Sequence, residues 1–279
     1  MILDGHVHLG GVGGSSRDML RRMAEAGVAG GVIISQPPQC FQRLGGRAPE
    51  ESLEHLLDWT ASSDRLFPFF WIDPLAPDAI DQVRIAVDRG VAGFKVICSR
   101  HEPGHDAAMR VYRAIAAAAK PILFHSGILW DGSDSSRFNR PANFECLLEV
   151  PGLRFALAHA SWPWHDECIA VFGKFADALR LREDLRVEMF IDVTPGTPPV
   201  YRPEVLKKLF ACGYDVAGNV IFGTDQRGET YRPDTVREWI DRDTSIQDDL
   251  GLDEQTREGI FAGNLLRFVG AAGGARQAE

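Results

Sequence analysis

This chain has little of what an oxidising or membrane-bound protein needs. Cysteine is sparse: five in 279 residues, Cys40, Cys98, Cys146, Cys168 and Cys212, an odd number with no Cys-x-x-Cys spacing. That excludes a disulfide framework and a thiolate zinc site, and a reducing cytoplasm is the expected compartment. No apolar run approaches the roughly 20 residues of a membrane helix. A strand pattern starts directly after Met1, so no signal peptide is expected either. Positive charge is scarce too. The 30 Lys and Arg face 39 Asp and Glu, and the formal net charge of −9 repels phosphate backbones, which argues against nucleic acid as the main partner. No G-x-G-x-x-G follows an apolar run, which counts against a doubly wound dinucleotide fold, and no repeat points to a solenoid.

What is present is an ordinary globular composition, 45% hydrophobic and 25% charged, enough for a sizeable core. Apolar strand patterns alternate with helical ones along nearly the whole length. Strands are expected at 2–10, 31–35, 66–73, 92–98, 121–125, 153–159, 187–193 and 220–224. Helices are expected from Ser15 or Ser16 to about Gly27, then at 50–62, 78–89, 107–119, 143–150, from Trp164 on, at 203–212, and through the last stretch to about Val269. Eight such alternations make a single-domain (β/α)8 TIM barrel over residues 1–270 the economical fold. The remaining 271–279 reads as a flexible tail, and Gly10 to Gly14 as a flexible loop.

The first strand reads Ile-Leu-Asp-Gly-His-Val-His. Side chains on a strand alternate between faces, so His6 and His8 project to the same side and form half of a potential metal site. In a TIM barrel the carboxyl ends of the strands carry the chemistry. Here the fifth expected strand stops at His125, the sixth at His159 and the eighth at Asp225. Each alone has an ordinary alternative, a hydrogen-bonded histidine or a helix-capping aspartate. Together with His6 and His8, however, strand ends hold four of the eight histidines.

These motifs resemble the amidohydrolase superfamily: Asp-Gly-His-Val-His at 4–8, Gly-Phe-Lys at 93–95, His125, His159, Gly-Thr-Asp at 223–225 and Gly-Asn-Leu-Leu-Arg-Phe at 263–268. The branch they resemble is the amidohydrolase-2 group, which holds aminocarboxymuconate-semialdehyde decarboxylase with related hydrolases and lactonases. The resemblance implies that His6, His8, His125 and Asp225 hold one divalent metal, zinc in the first place and otherwise Mn2+ or Fe2+. Asp225 would then also act as base and His159 as acid or base beside the metal. A metal there lowers the pKa of bound water to about 7, so hydroxide is at hand for hydrolysis.

Lys95 is open between bridging a second metal as a carboxylated lysine and binding a substrate carboxylate. Asp4 is expected either to orient a ligand histidine or to serve a turn, and Asp73 and Asp192 to be structural. One departure from the group is His-Ala-Ser-Trp at 159–162, where many relatives have glycine after the histidine, and it bears on the substrate. Loops on the expected active face carry Arg100, His101, Trp130, Arg137, Trp162, Trp164, Arg227 and Arg232. Of these, Arg100, Trp130, Trp162 and Arg227 are the candidates for binding a small anionic substrate. The expectation is a metal-dependent hydrolase of a lactone, ester or amide. A non-oxidative decarboxylase on the same site is the alternative, and homo-oligomerisation is left open.

Overall fold

The computed structural model describes residues 1–11, 13–182 and 184–271, so all but the first residue of the expected tail lies outside the described residues. The chain runs β1 (Ile2–His8), α1 (Ser16–Glu25), β2 (Val28–Ile34), α2 (Pro49–Thr60), β3 (Leu66–Trp71), α3 (Ala79–Asp88), β4 (Gly93–Val96) and α4 (Asp106–Ala117). It continues through β5 (Ile122–Phe124), β6 (Arg154–Leu157), α5 (His165–Leu181), β7 (Glu188–Asp192), α6 (Arg202–Ala211), β8 (Val220–Ile221), β9 (Gln226–Arg227) and α7 (Pro233–Asp249). Two short helices, α8 (Glu254–Glu258) and α9 (Asn264–Val269), follow. Where a helix was expected at 143–150 there is instead a 3-10 run, Pro141–Glu149. Residues three apart eclipse in that geometry, so Phe144 and Leu147 both face the core.

All strand pairs are parallel and follow chain order from β1 to β8, and β9 lies on the other side of β1. β8 and β9 are two halves of one eighth strand. The first half pairs with β7 and the second with β1, and Gly5 donates its N–H to the Phe222 carbonyl at 2.9 Å across the seam. The sheet thus curls into the TIM barrel expected from the alternating pattern. Among the described residues no helix is long and apolar enough to cross a membrane.

The pleat sorts side chains into two layers. Phe70, Phe94, Val96, Ile122, Phe124, Phe155, Leu157 and Ile191 point outward into the layer under the helices. Val32, Ile34, Phe69, Trp71, Leu123, Ala156, Phe190 and Ile221 fill the barrel interior, closed at the strand starts by Leu265 and Phe268 of α9. Alternation breaks once on β1. Leu3 faces inward and Val7 outward, and the pairing register with β2 shifts between Ile2 and Val7. The extra residue sits near Gly5, where a Cβ would stand 2.7 Å from both Ile221 and the Phe222 carbonyl, so only glycine fits. Beyond this bulge the even-numbered positions of β1 face inward.

Candidate metal centre

The bulge turns His6 and His8 toward the barrel mouth with their Nε2 atoms 3.0 Å apart. Asp225, on the turn between β8 and β9, brings Oδ1 to 3.8 Å from His6 Nε2 and 3.5 Å from His8 Nε2. The three ligand atoms all lie within 4.8 Å of one another. Donors arranged tetrahedrally about a cation at 2.0–2.1 Å would be roughly 3.3 Å apart, so this spacing fits a single small ion. Protonation fits as well. Burial first, then the charges of Lys95 and His159, hold His6 well below the usual imidazole range, and burial with His6 and Lys95 does the same for His8. Two neutral imidazoles with facing lone pairs and one carboxylate are donors suited to a divalent ion of zinc type.

Asp192 fixes which nitrogen of His6 is the donor. Its Oδ2 accepts from His6 Nδ1 at 2.7 Å, leaving the Nε2 lone pair free. The carboxylate is itself held by the backbone N–H of Thr194 at 2.7 Å and by the Thr194 hydroxyl. The expectation of a merely structural Asp192 is therefore corrected. Its signal in the sequence was parity: on β7 it shares the inward face with Phe190. Of the two roles expected of Asp4, orienting a ligand histidine is the one seen, through that histidine's backbone rather than its ring. Its Oδ1 accepts from the backbone N–H of His6 at 3.1 Å and of Thr224 at 2.9 Å, and its Oδ2 accepts from the hydroxyls of Thr224 and Tyr231. Asp4 thereby ties the ligand strand β1 to the backbone just before Asp225.

His125 follows β5 directly and lines the same cavity, but its ligand atoms stand outside the His6, His8 and Asp225 group. Its Nε2 lies 3.2 Å from the carbonyl of Ile128. His159 sits 5.0 Å from His125 and 5.4 Å from His6, ring centre to ring centre. By strand parity it would point outward with Phe155 and Leu157. Instead His159, Ala160 and Ser161 all take left-handed φ values of 62°, 43° and 58°, which swing the imidazole back to the cavity. Such backbone is costly for non-glycine residues and concentrates at functional sites. The ring packs on Gly196, where a Cβ would stand 2.8 Å from Nδ1, leaving Nε2 on the cavity side. Burial pushes the His159 pKa down to about 4. Lys95, inward on β4 and buried, brings Nζ to 3.4 Å from His6 Nε2, and burial lowers its pKa. Withdrawal from bulk water raises that of Asp225, with Lys95 opposing.

Above these groups opens a cavity of about 450 Å³, lined by Trp71, Trp130, Trp162 and Arg227 among others. Trp130 stands on its rim, 80% exposed. Arg100 is corrected: it is not part of the lining and pairs instead with Asp73. His101, Arg137, Trp164 and Arg232 are likewise absent from the lining. The described part of the glycine loop is held rather than loose. Glu229 Oε1 accepts from the N–H groups of Gly10 at 2.7 Å and Gly11 at 2.8 Å.

A family model described as Amidohydrolase, of the amidohydrolase-2 type, matches residues 4–271. The chain belongs to the amidohydrolase family. Solved structures with the same fold include a 2,6-dihydroxybenzoate decarboxylase from Rhizobium, 14% identical, with a TM-score of 0.66 and 98% of each chain covered. Another is an amidohydrolase from Burkholderia multivorans with bound zinc, 14% identical, TM-score 0.63, covering 97% of this chain and 99% of that one. A third is a probable 2-pyrone-4,6-dicarboxylic acid hydrolase from Acinetobacter baumannii with citric acid bound, 11% identical, TM-score 0.62, covering 96% of this chain and 99% of that one. None of the curated proteins matches the chain. This amidohydrolase is a metal-dependent enzyme by family, and the family includes both hydrolases and decarboxylases.

Proposed function

We propose that this amidohydrolase hydrolyses a C–O or C–N bond, as in a lactone, ester or amide, of a small carboxylated compound. His6, His8 and Asp225 would hold one divalent cation, with zinc the first choice, and His125, which lines the same cavity, would join as fourth donor by turning from the Ile128 carbonyl. The observation that carries the reading is the convergence of three donor atoms, from both ends of the chain, at the base of a cavity sized for a small molecule.

A bound cation supplies Lewis acidity there and makes water a nucleophile near neutral pH. The protein groups do the rest. Asp225 keeps 38% of its side chain open to the cavity, so its carboxylate can accept the proton of an attacking water. His159 presents Nε2 to polarise the scissile carbonyl or to protonate the leaving group. Lys95 and Arg227 are the cationic groups lining the cavity that attract a substrate carboxylate. Trp130 and Trp162 flank the opening and limit water around the reacting bond. All five cysteines are unpaired, which supports a reducing, cytoplasmic setting.

The test is to load the protein with zinc and present lactones, amides, and unsaturated or aromatic carboxylic acids to wild type and Asp225→Asn. Hydrolysis without gas release, lost in Asp225→Asn, supports the proposal. Release of carbon dioxide from an acid, with no hydrolysis of any ester or amide, overturns it in favour of a non-oxidative decarboxylase.

A further inference from the structure

Behind the site lies a buried ion pair that the proposed chemistry does not use. Arg202 of α6 and Asp243 of α7 each have only 1% of the side chain exposed. The guanidinium engages the carboxylate with two nitrogens, Nε to Oδ1 at 2.9 Å and Nη2 to Oδ2 at 2.6 Å, and lies 5.4 Å from the centre of the Trp239 ring. Buried pairs of this kind are often no more stabilising than well-packed apolar residues of similar volume, so stability alone does not account for it.

What the pair offers that apolar side chains cannot is a third donor. Arg202 Nη1 donates to the carbonyl of Val193, the first residue beyond β7. The N–H of Val193 is already committed to the Ile221 carbonyl at 2.9 Å. Both backbone polar groups of Val193 are thus pinned, one by the neighbouring strand and one by the guanidinium. The next residue back is Asp192, whose carboxylate holds His6 Nδ1. The next residue forward is Thr194, which holds Asp192 Oδ1.

We propose that Arg202 and Asp243 are positioning residues for the cation site. Acting through the Val193 carbonyl, they set Asp192, which sets the tautomer and direction of His6. The proposal rests on the metal reading above. It requires that zinc affinity depend on two residues that lie on the outer helices and line no part of the cavity.

The experiment compares wild type, Arg202→Lys, the double variant Arg202→Met with Asp243→Leu, and Leu206→Ala. Leu206 is a buried core residue of the same helix and serves as a control for lost stability. Zinc affinity is measured by competition with a chelator, cobalt(II) absorption reports ligand geometry, and proton NMR follows the downfield Nδ1–H of His6. The double variant is expected to fold, to bind zinc about 10–100-fold more weakly, and to lose the His6 resonance. Arg202→Lys, which keeps the charge on one donor nitrogen in place of three, should fall between, and Leu206→Ala should melt earlier with unchanged affinity. Wild-type affinity in the double variant would overturn the proposal, as would an equal loss in Leu206→Ala. If wild type itself binds no zinc, the metal reading fails, and the His6 resonance alone decides whether the pair positions Asp192.

Discussion

His6 and His8 stand on a strand hydrogen-bonded on both sides, and His125, inward like Leu123, still donates its N–H to the Val96 carbonyl of β4, whereas His159 stands on backbone that has left the sheet. In the first half of the site, direction comes from the pleat. Asp192 and Asp4 then brace it from β7 and across the barrel seam. In the second half, direction comes from a turn, the three left-handed residues at 159–161. The first arrangement suits groups that must stay fixed around a cation. The second suits groups that meet a substrate, where the backbone has to depart from the strand.

If that division holds, damage to the two halves will read out differently. The largest effect is expected from His8→Ala, which should abolish both zinc retention and turnover, measured by elemental analysis and by assay on the same preparation. His159→Asn should lower kcat by about 10²–10⁴-fold while zinc content stays at the wild-type level. Loss of zinc from that variant would erase the distinction. Gly196→Ala places a Cβ 2.7–2.8 Å from His159 ring and Cβ atoms. Displacing the ring by about an ångström should lower kcat some 10²-fold, again with zinc unchanged. Asp192→Asn acts on the opposite half and should weaken zinc binding about 10–100-fold in a chelator competition.

The smallest effect concerns acid. A buried histidine whose folded pKa lies near 4, below its unfolded value of 6.5, binds fewer protons when folded. The stability this group contributes is therefore complete above about pH 6.5 and is lost as pH drops toward 4. Thermal melts of metal-free His159→Asn should lose less stability over that window than wild type, by one proton's worth of slope.

The barrel and the strand half of the site were legible because a single rule, period-two alternation ending at a polar residue, governs both. Applied strictly, the same rule also picks out Asp192 and Lys95, which share inward parity with Phe190 and Ile97. It does not reach the Leu3-to-His6 change of phase. The bulge at Gly5 comes from crowding against Ile221 and Phe222, residues more than 200 positions away. Nor does it reach His159, whose parity on β6 points away from the cavity it lines. Left-handed backbone at His-Ala-Ser has no local signal, since none of the three is a glycine. Arg100 was misread because a charged residue just past a strand reads alike from sequence whether it faces the cavity or an acid such as Asp73. Arg202 and Asp243 carried no signal, being 41 residues apart on helices whose outward pattern hides a buried pair.

The most direct test of the central claim is the number of zinc ions per chain in wild type and in the triple variant His6→Ala, His8→Ala, Asp225→Asn. Convergence of those donors on one cation predicts a single equivalent in wild type and none in the triple variant. A full equivalent retained by the triple variant would contradict it, as would two equivalents in wild type, which would make Lys95 a metal-bridging residue.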